Sequence, residues 1–113
     1  MKVIDWLTSE EIKAIGDFKK GVSHGLGENL KRLRLFGSKA RGDYERESDL
    51  DVLVLVSERS YKIDRQITDV SADVMCEYLV RVSPFILTEE QYNMLKSLER
   101  RIIRDIEEEG VDL

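Results

Sequence analysis

The run Leu50-Asp51-Val52-Leu53-Val54-Leu55-Val56 constrains this chain more than any other segment. Aliphatic residues occupy both of its alternating faces. A strand has a side-chain period of two, so a strand apolar on both faces belongs in the buried centre of a sheet. One charge, Asp51, interrupts it, and Asp49 stands just ahead. Spaced i,i+2, the two carboxylates point to the same face, roughly 7 Å apart along the backbone. Like charges held that close repel unless something cationic lies between them. Hard divalent cations with oxygen ligands, Mg²⁺ above all, satisfy such a pair and normally arrive with substrate phosphates.

A second feature lies upstream. Leu30 to Phe36 reads as a strand, and Gly37-Ser38-Lys39-Ala40-Arg41-Gly42 breaks it into a turn. Gly37 carries no side chain, so backbone N–H groups there can approach a phosphate. Ser38 adds a hydroxyl donor at the start of a short helical turn over Ser38 to Arg41. Arg41, three residues on, lies on the same side of that turn and can complement a phosphate. Ser48 can fix the chain's approach to the aspartates, as serine does in turns.

Charge is unevenly distributed. The net charge of −5 argues against general nucleic-acid binding. Yet residues 31 to 46 hold Lys31, Arg32, Arg34, Lys39, Arg41 and Arg46 against Asp43 and Glu45. The basic segment is the one bearing the Gly-Ser turn. A chain of 113 residues suits a single domain, residues 1–113, with no internal linker or repeat. The single cysteine, Cys76, excludes an internal disulfide and reads as a small buried hydrophobe. Met1 to Leu7 is too short for a signal peptide and contains Asp5, and no apolar run could span a bilayer. The expected location is the cytoplasm, away from membranes.

Around these features the pattern predicts αβ(turn)βαβα. Thr8-Ser9-Glu10-Glu11 is a capping box opening a helix with Ile12, Ile15, Phe18 and Val22 inward and Gly21, Gly25 and Gly27 ending it. The following loop runs from Gly42 to Ser48. Ser60 caps a helix with Ile63, Ile67, Val70, Val74 and Met75 inward. Tyr78 to Leu87 reads as a third strand interrupted by Pro84, with Tyr78 to Val82 in the sheet. Thr88-Glu89-Glu90-Gln91 opens a last helix with Leu95, Leu98, Ile102 and Ile106 as its stripe and Gly110 as its C-cap. The fold class is α/β, of the α+β kind: a small mixed sheet with helices mainly on one face. Trp6 reads as a packing residue at the start of the first helix, and His24 as solvent-facing.

Gly37-Ser38, ten intervening residues, then Asp49-Leu50-Asp51 resembles the signature of the nucleotidyltransferase superfamily that includes DNA polymerase beta. Gly-Ser-Lys-Ala-Arg-Gly with Ser-Asp-Leu-Asp looks most like its minimal nucleotidyltransferase branch. The resemblance implies a nucleotidyltransferase-like fold and transfer of a nucleoside monophosphate, AMP from ATP in the first instance, to an acceptor hydroxyl. It implies Mg²⁺ or Mn²⁺ held by Asp49 and Asp51 as the catalytic pair, and nucleotide bound at Gly37 and Ser38, to which the reading of the turn adds Arg41. It also implies a small helical partner of the HEPN class in a toxin–antitoxin system, one of whose tyrosines can be the acceptor. A domain this small leaves little surface for an acceptor, which favours such a partner or a homo-oligomer.

One departure from the family pattern bears on activity. The family's third carboxylate, flanked by apolar residues on the next strand, falls by alternation at Arg81, between Val80 and Val82. Glu77 is the nearest substitute. Arg81 is expected to project toward Asp49 and Asp51. The alternative to a full enzyme is therefore a catalytically weakened, nucleotide-binding module that acts on its partner by contact.

Overall fold

The structure, a computed structural model, describes residues 5–42 and 48–113. Most of the loop expected over Gly42 to Ser48, with Asp43 and Arg46, lies outside the described residues. The chain runs α1 (Ser9–Leu26), a 3-10 turn (Gly27–Asn29), β1 (Leu30–Phe36), α2 (Ser38–Arg41), β2 (Leu50–Val56), α3 (Tyr61–Tyr78), β3 (Val82–Thr88), α4 (Glu89–Ser97), α5 (Arg101–Glu109) and β4 (Val111–Asp112). The strands form one mixed sheet in the order β3-β2-β1-β4. β2 is central, as its two apolar faces require, antiparallel to β1 and parallel to β3. The parallel pair is joined through α3, the crossover such a pair needs.

Both faces of β2 are covered. Leu50, Val52, Val54 and Val56 pack with Ala14, Ile15, Phe18 and Val22 of α1 and Ile67 and Val74 of α3. Leu53, on the opposite face, packs with Leu87, Tyr92, Ile103 and Ile106. The two 18-residue helices thus share one face, and the two nine-residue helices cover part of the other. Both capping boxes form: Thr8 with Glu11 and Thr88 with Gln91. Ser60 caps α3 by accepting from the Ile63 amide.

Several expectations change. Gly21 and Gly25 do not end α1, which continues to Leu26. Gly21 serves packing instead: a Cβ there would lie 2.8 Å from a Val70 methyl, so its absence lets α1 approach α3. The third strand begins at Val82 and not Tyr78, because α3 runs through Tyr78 and ends on Leu79 in a left-handed cap at φ 56°. Pro84 is tolerated because β3 is an edge strand. The last helix is two helices, since the chain turns at Leu98 to Arg100 with Glu99 at φ 55°. That turn resets the helical phase, leaving Leu98 58% and Ile102 39% exposed while Ile103 and Ile106 are buried. Finally, Cys76 is exposed, because it lies two residues past buried Val74 and off the inward stripe of α3.

Tyr78 has a role the strand reading concealed. Its hydroxyl donates to Asp17 Oδ2 at 2.6 Å, tying the end of α3 to α1. That bond to the carboxylate, followed by burial, pushes its pKa up to about 12.

Candidate active site

The site sits where β1 ends and β2 begins. The antiparallel register pairs Phe36 with Asp51, so the residue after Phe36 turns beside the Asp51 carboxylate. That residue is Gly37, at φ 78° and ψ −161°, a region essentially reserved for glycine. A Cβ at Gly37 would lie 2.5 Å from Asp51 Oδ2, so backbone and carboxylate meet with no side chain between them.

Gly37 also opens α2. Its carbonyl accepts from the Ala40 and Arg41 amides at 3.1 Å, and the Ser38 carbonyl accepts from the Gly42 amide at 2.9 Å. Gly42, at φ 83°, closes the turn in the left-handed conformation. The short helical turn expected over Ser38 to Arg41 therefore forms with those limits.

Asp49 and Asp51 are both half-buried at the head of β2. The Asp51 carboxyl is pushed above the ordinary carboxylate range, first by burial and then by the charge of Asp49; Arg41 acts in the opposite direction. The two aspartates thus interact as a like-charged pair. Arg41 completes a second link, its Nη1 lying 3.0 Å from Glu109 Oε2 at the end of α5.

The geometry revises the reading of the third strand. In the parallel register Leu50 pairs with Val82 and Asp51 with Ser83. Paired residues of neighbouring strands share a face roughly 4.8 Å apart, so the position beside Asp51 is Ser83. Parity counted from Tyr78 does not locate it, because that residue is helical. Arg81 precedes the strand, is exposed, and gives its backbone carbonyl to the Leu50 amide at 3.0 Å. Among the described residues its guanidinium makes no ion pair, and the cation acting on Asp51 is Arg41. Glu77 is exposed on the last turn of α3, off the sheet.

Sequence reasoning missed the support beneath the turn. Lys39 Nζ lies 2.7 Å from Glu11 Oε2, with 2% and 8% of the two side chains exposed. The Trp6 indole N–H donates to the Lys39 carbonyl at 2.7 Å, and its ring packs against Gly42. Glu11 stood out only as half of a capping box, and Lys39 only as one of several basic residues. No local pattern links positions 28 residues apart.

The model of the nucleotidyltransferase domain family matches residues 15–113. The chain belongs to the nucleotidyltransferase domain family. Two Methanocaldococcus jannaschii proteins, both provisionally named protein adenylyltransferase, are similar to it. One is 37% identical over 105 residues, spanning 92% of this chain and 99% of the relative. The other is 32% identical over 100 residues, spanning 88% and 94%. Among solved structures, a toxin–antitoxin assembly with AMP-PNP aligns at TM-score 0.58 and 19% identity, over 93% of this chain and 72% of that one. A protein described as a minimal nucleotidyltransferase aligns at TM-score 0.56 and 24% identity, over 97% and 100%. These structural likenesses carry the nucleotidyltransferase-like fold.

The donor set of this nucleotidyltransferase domain suits a hard divalent cation. Two carboxylates at a strand head, with the side-chain-free Gly37 pressed against one of them, leave oxygen ligands facing a space a Cβ would fill. Among the described residues no group of three or more His, Cys, Asp or Glu comes together, so further ligands would come from substrate and water. No helix of the described residues is long and apolar enough to cross a membrane.

Proposed function

We propose that this chain is a metal-dependent nucleotidyltransferase that moves AMP from ATP onto a hydroxyl of a protein partner. The observation that carries the reading is the contact of Gly37 with Asp51, which sets the glycine turn directly against a carboxylate. The names of its two archaeal relatives support AMP and a protein acceptor. The AMP-PNP in a structural neighbour, itself a toxin–antitoxin assembly, supports ATP and a toxin partner, and the sequence resemblance points to a small helical toxin of the HEPN class. We place the protein in the cytoplasm, where both substrates are supplied.

The Gly37 and Ser38 backbone and the Ser38 hydroxyl would hold the triphosphate, with Arg41 neutralising part of its charge. Asp49 and Asp51 would hold Mg²⁺ or Mn²⁺; when bound, the cation neutralises developing phosphate charge and makes the acceptor oxygen more nucleophilic. The acceptor oxygen bonds to the α-phosphorus, the bond from that phosphorus to the bridging oxygen breaks, and pyrophosphate leaves with the electron pair. The acceptor proton passes to solvent. Ser83, the residue paired with Asp51, carries no carboxylate that could take it. That favours a phenol, with pKa about 10, over the far less acidic aliphatic hydroxyls, and so a tyrosine acceptor.

The test is incubation of the protein with α-labelled ATP, Mg²⁺ and a HEPN-type partner, followed by mass mapping of the label. Label on a partner tyrosine, dependent on metal, is expected. Metal-dependent ATP binding without transfer to any partner would establish the weakened binding module instead, and no triphosphate binding would reject the site. A further prediction concerns Ser83→Asp. A third carboxylate beside Asp51 should tighten Mg²⁺ binding by about tenfold, because a hard cation is held according to ligand charge. Unchanged affinity by calorimetry would show that residue 83 does not face the cation.

A further inference from the structure

We propose that Glu11 and Lys39 are positioning residues: their buried pair fixes the Gly37–Gly42 turn from beneath and keeps the Lys39 ammonium away from the nucleotide. This rests on the function proposed above. A lysine immediately after Gly-Ser would ordinarily be read as a phosphate ligand. Here its side chain is 2% exposed and its ammonium meets Glu11. Glu11 belongs to α1, which packs on the sheet face of Leu50 and Val52, whereas Asp51 faces the other side.

The turn needs such support. One isolated helical turn is unfavourable, because it fixes several dihedrals for few hydrogen bonds. It is also flanked by two glycines at positive φ, residues whose unfolded freedom is greatest. Three contacts from α1 and the segment before it hold it: the Glu11–Lys39 pair, the Trp6 N–H on the Lys39 carbonyl, and the Trp6 ring on Gly42. Ala40 adds a fourth by entering the core with Ala14 and Ile15.

Glu11 is itself held. Its Oε1 accepts from the Thr8 amide at 2.9 Å while Oε2 meets Lys39, so the capping box and the ion pair share one carboxylate. Burial raises the Glu11 pKa, but Lys39 and Thr8 outweigh it and leave the group below the ordinary range. A buried ion pair is seldom a better source of stability than apolar packing. What it adds here is direction: a charged tether, held on its helix side by the capping box, between a helix start and a four-residue turn.

Glu11→Gln, Lys39→Met and the double variant separate the possibilities, each compared with wild type for ATP·Mg²⁺ affinity and for amide exchange at Ala40, Arg41 and Gly42. Each single change should weaken ATP binding about tenfold, since a displacement of about 1 Å can cost up to a hundredfold. The double variant should be no worse than the poorer single. The turn amides should exchange faster in all three while those of β2 do not. If Lys39 instead touches phosphate, Lys39→Met loses affinity while Glu11→Gln keeps or improves it, and the proposal is overturned. Turn amides that exchange no faster in the variants than in wild type would also overturn it. Trp6→Phe, which removes the N–H bond and trims the ring that packs on Gly42, adds a fourth variant and should move exchange and affinity the same way. Should wild type bind no triphosphate, the proposed function fails, and the exchange measurements still decide whether the pair positions the turn.

Discussion

Asp51→Asn is expected to lower AMP transfer by at least about 10³-fold while raising the melting temperature of the metal-free protein. Loss of activity follows from removing one of two charges that would hold the cation, and electrostatic groups of this kind carry some of the largest single contributions to catalysis. The gain in stability follows from the same charge. Burial and Asp49 disfavour the ionised Asp51 carboxyl in the folded chain. Its folded pKa is therefore above its unfolded value, and ionisation is a cost to folding that sets in as pH rises through the folded pKa. Asparagine removes that cost, so its advantage should be largest at neutral pH and shrink as pH falls through that value. Melting curves with and without Mg²⁺ test both halves. The parent should be stabilised by the metal and the variant should not. A variant that retains transfer, or melts below the metal-free parent at neutral pH, would overturn this account.

Gly37→Ala should be nearly as damaging, by a different route. The backbone at φ 78° and ψ −161° is strained for any residue with a Cβ, by about 1–3 kcal/mol. The added methyl would also stand 2.5 Å from Asp51 Oδ2, closer than real Cβ atoms come. Either the turn leaves its position or Asp51 leaves its rotamer, and both separate the turn backbone from the carboxylates. We expect a fall in melting temperature of several degrees, as befits about 1–3 kcal/mol in a domain this size, and ATP·Mg²⁺ affinity reduced by about 100-fold. The same substitution at Gly25, where a Cβ meets nothing within 4 Å, is the control and should leave binding unchanged. Equal binding by the Gly37 and Gly25 variants would remove Gly37 from the site.

Much of this was legible because it is local. The capping boxes at Thr8 and Thr88, the central position of β2 and the helical turn after Gly37 depend on residues within a few positions of one another, where backbone sterics and hydrogen bonding act directly. The carboxylate pair was legible for the same reason: Asp49 and Asp51 are two positions apart, and their charges act on one another. Where the sequence misled, the deciding contact was distant. Tyr78 looked like the start of a strand from its β-forming neighbours. Its hydroxyl reaches Asp17, 61 residues away, and the helix carries on to meet it. The continuous stripe from Leu95 to Ile106 failed because packing against Phe36 and Leu53 rewards Ile103 and Ile106 after a turn, and local periodicity cannot register a change of phase.

The sequence by itself determined the αβ(turn)βαβ order up to the last helical segment, and the glycine turn that precedes the two aspartates. Only the tertiary structure decided that Ser83 and not Arg81 stands beside Asp51, and that Lys39 is buried against Glu11. Strand register and ion pairing join residues far apart in the chain. They are set by how the sheet closes and which helix covers it, and no short-range pattern of polar and apolar residues encodes that choice.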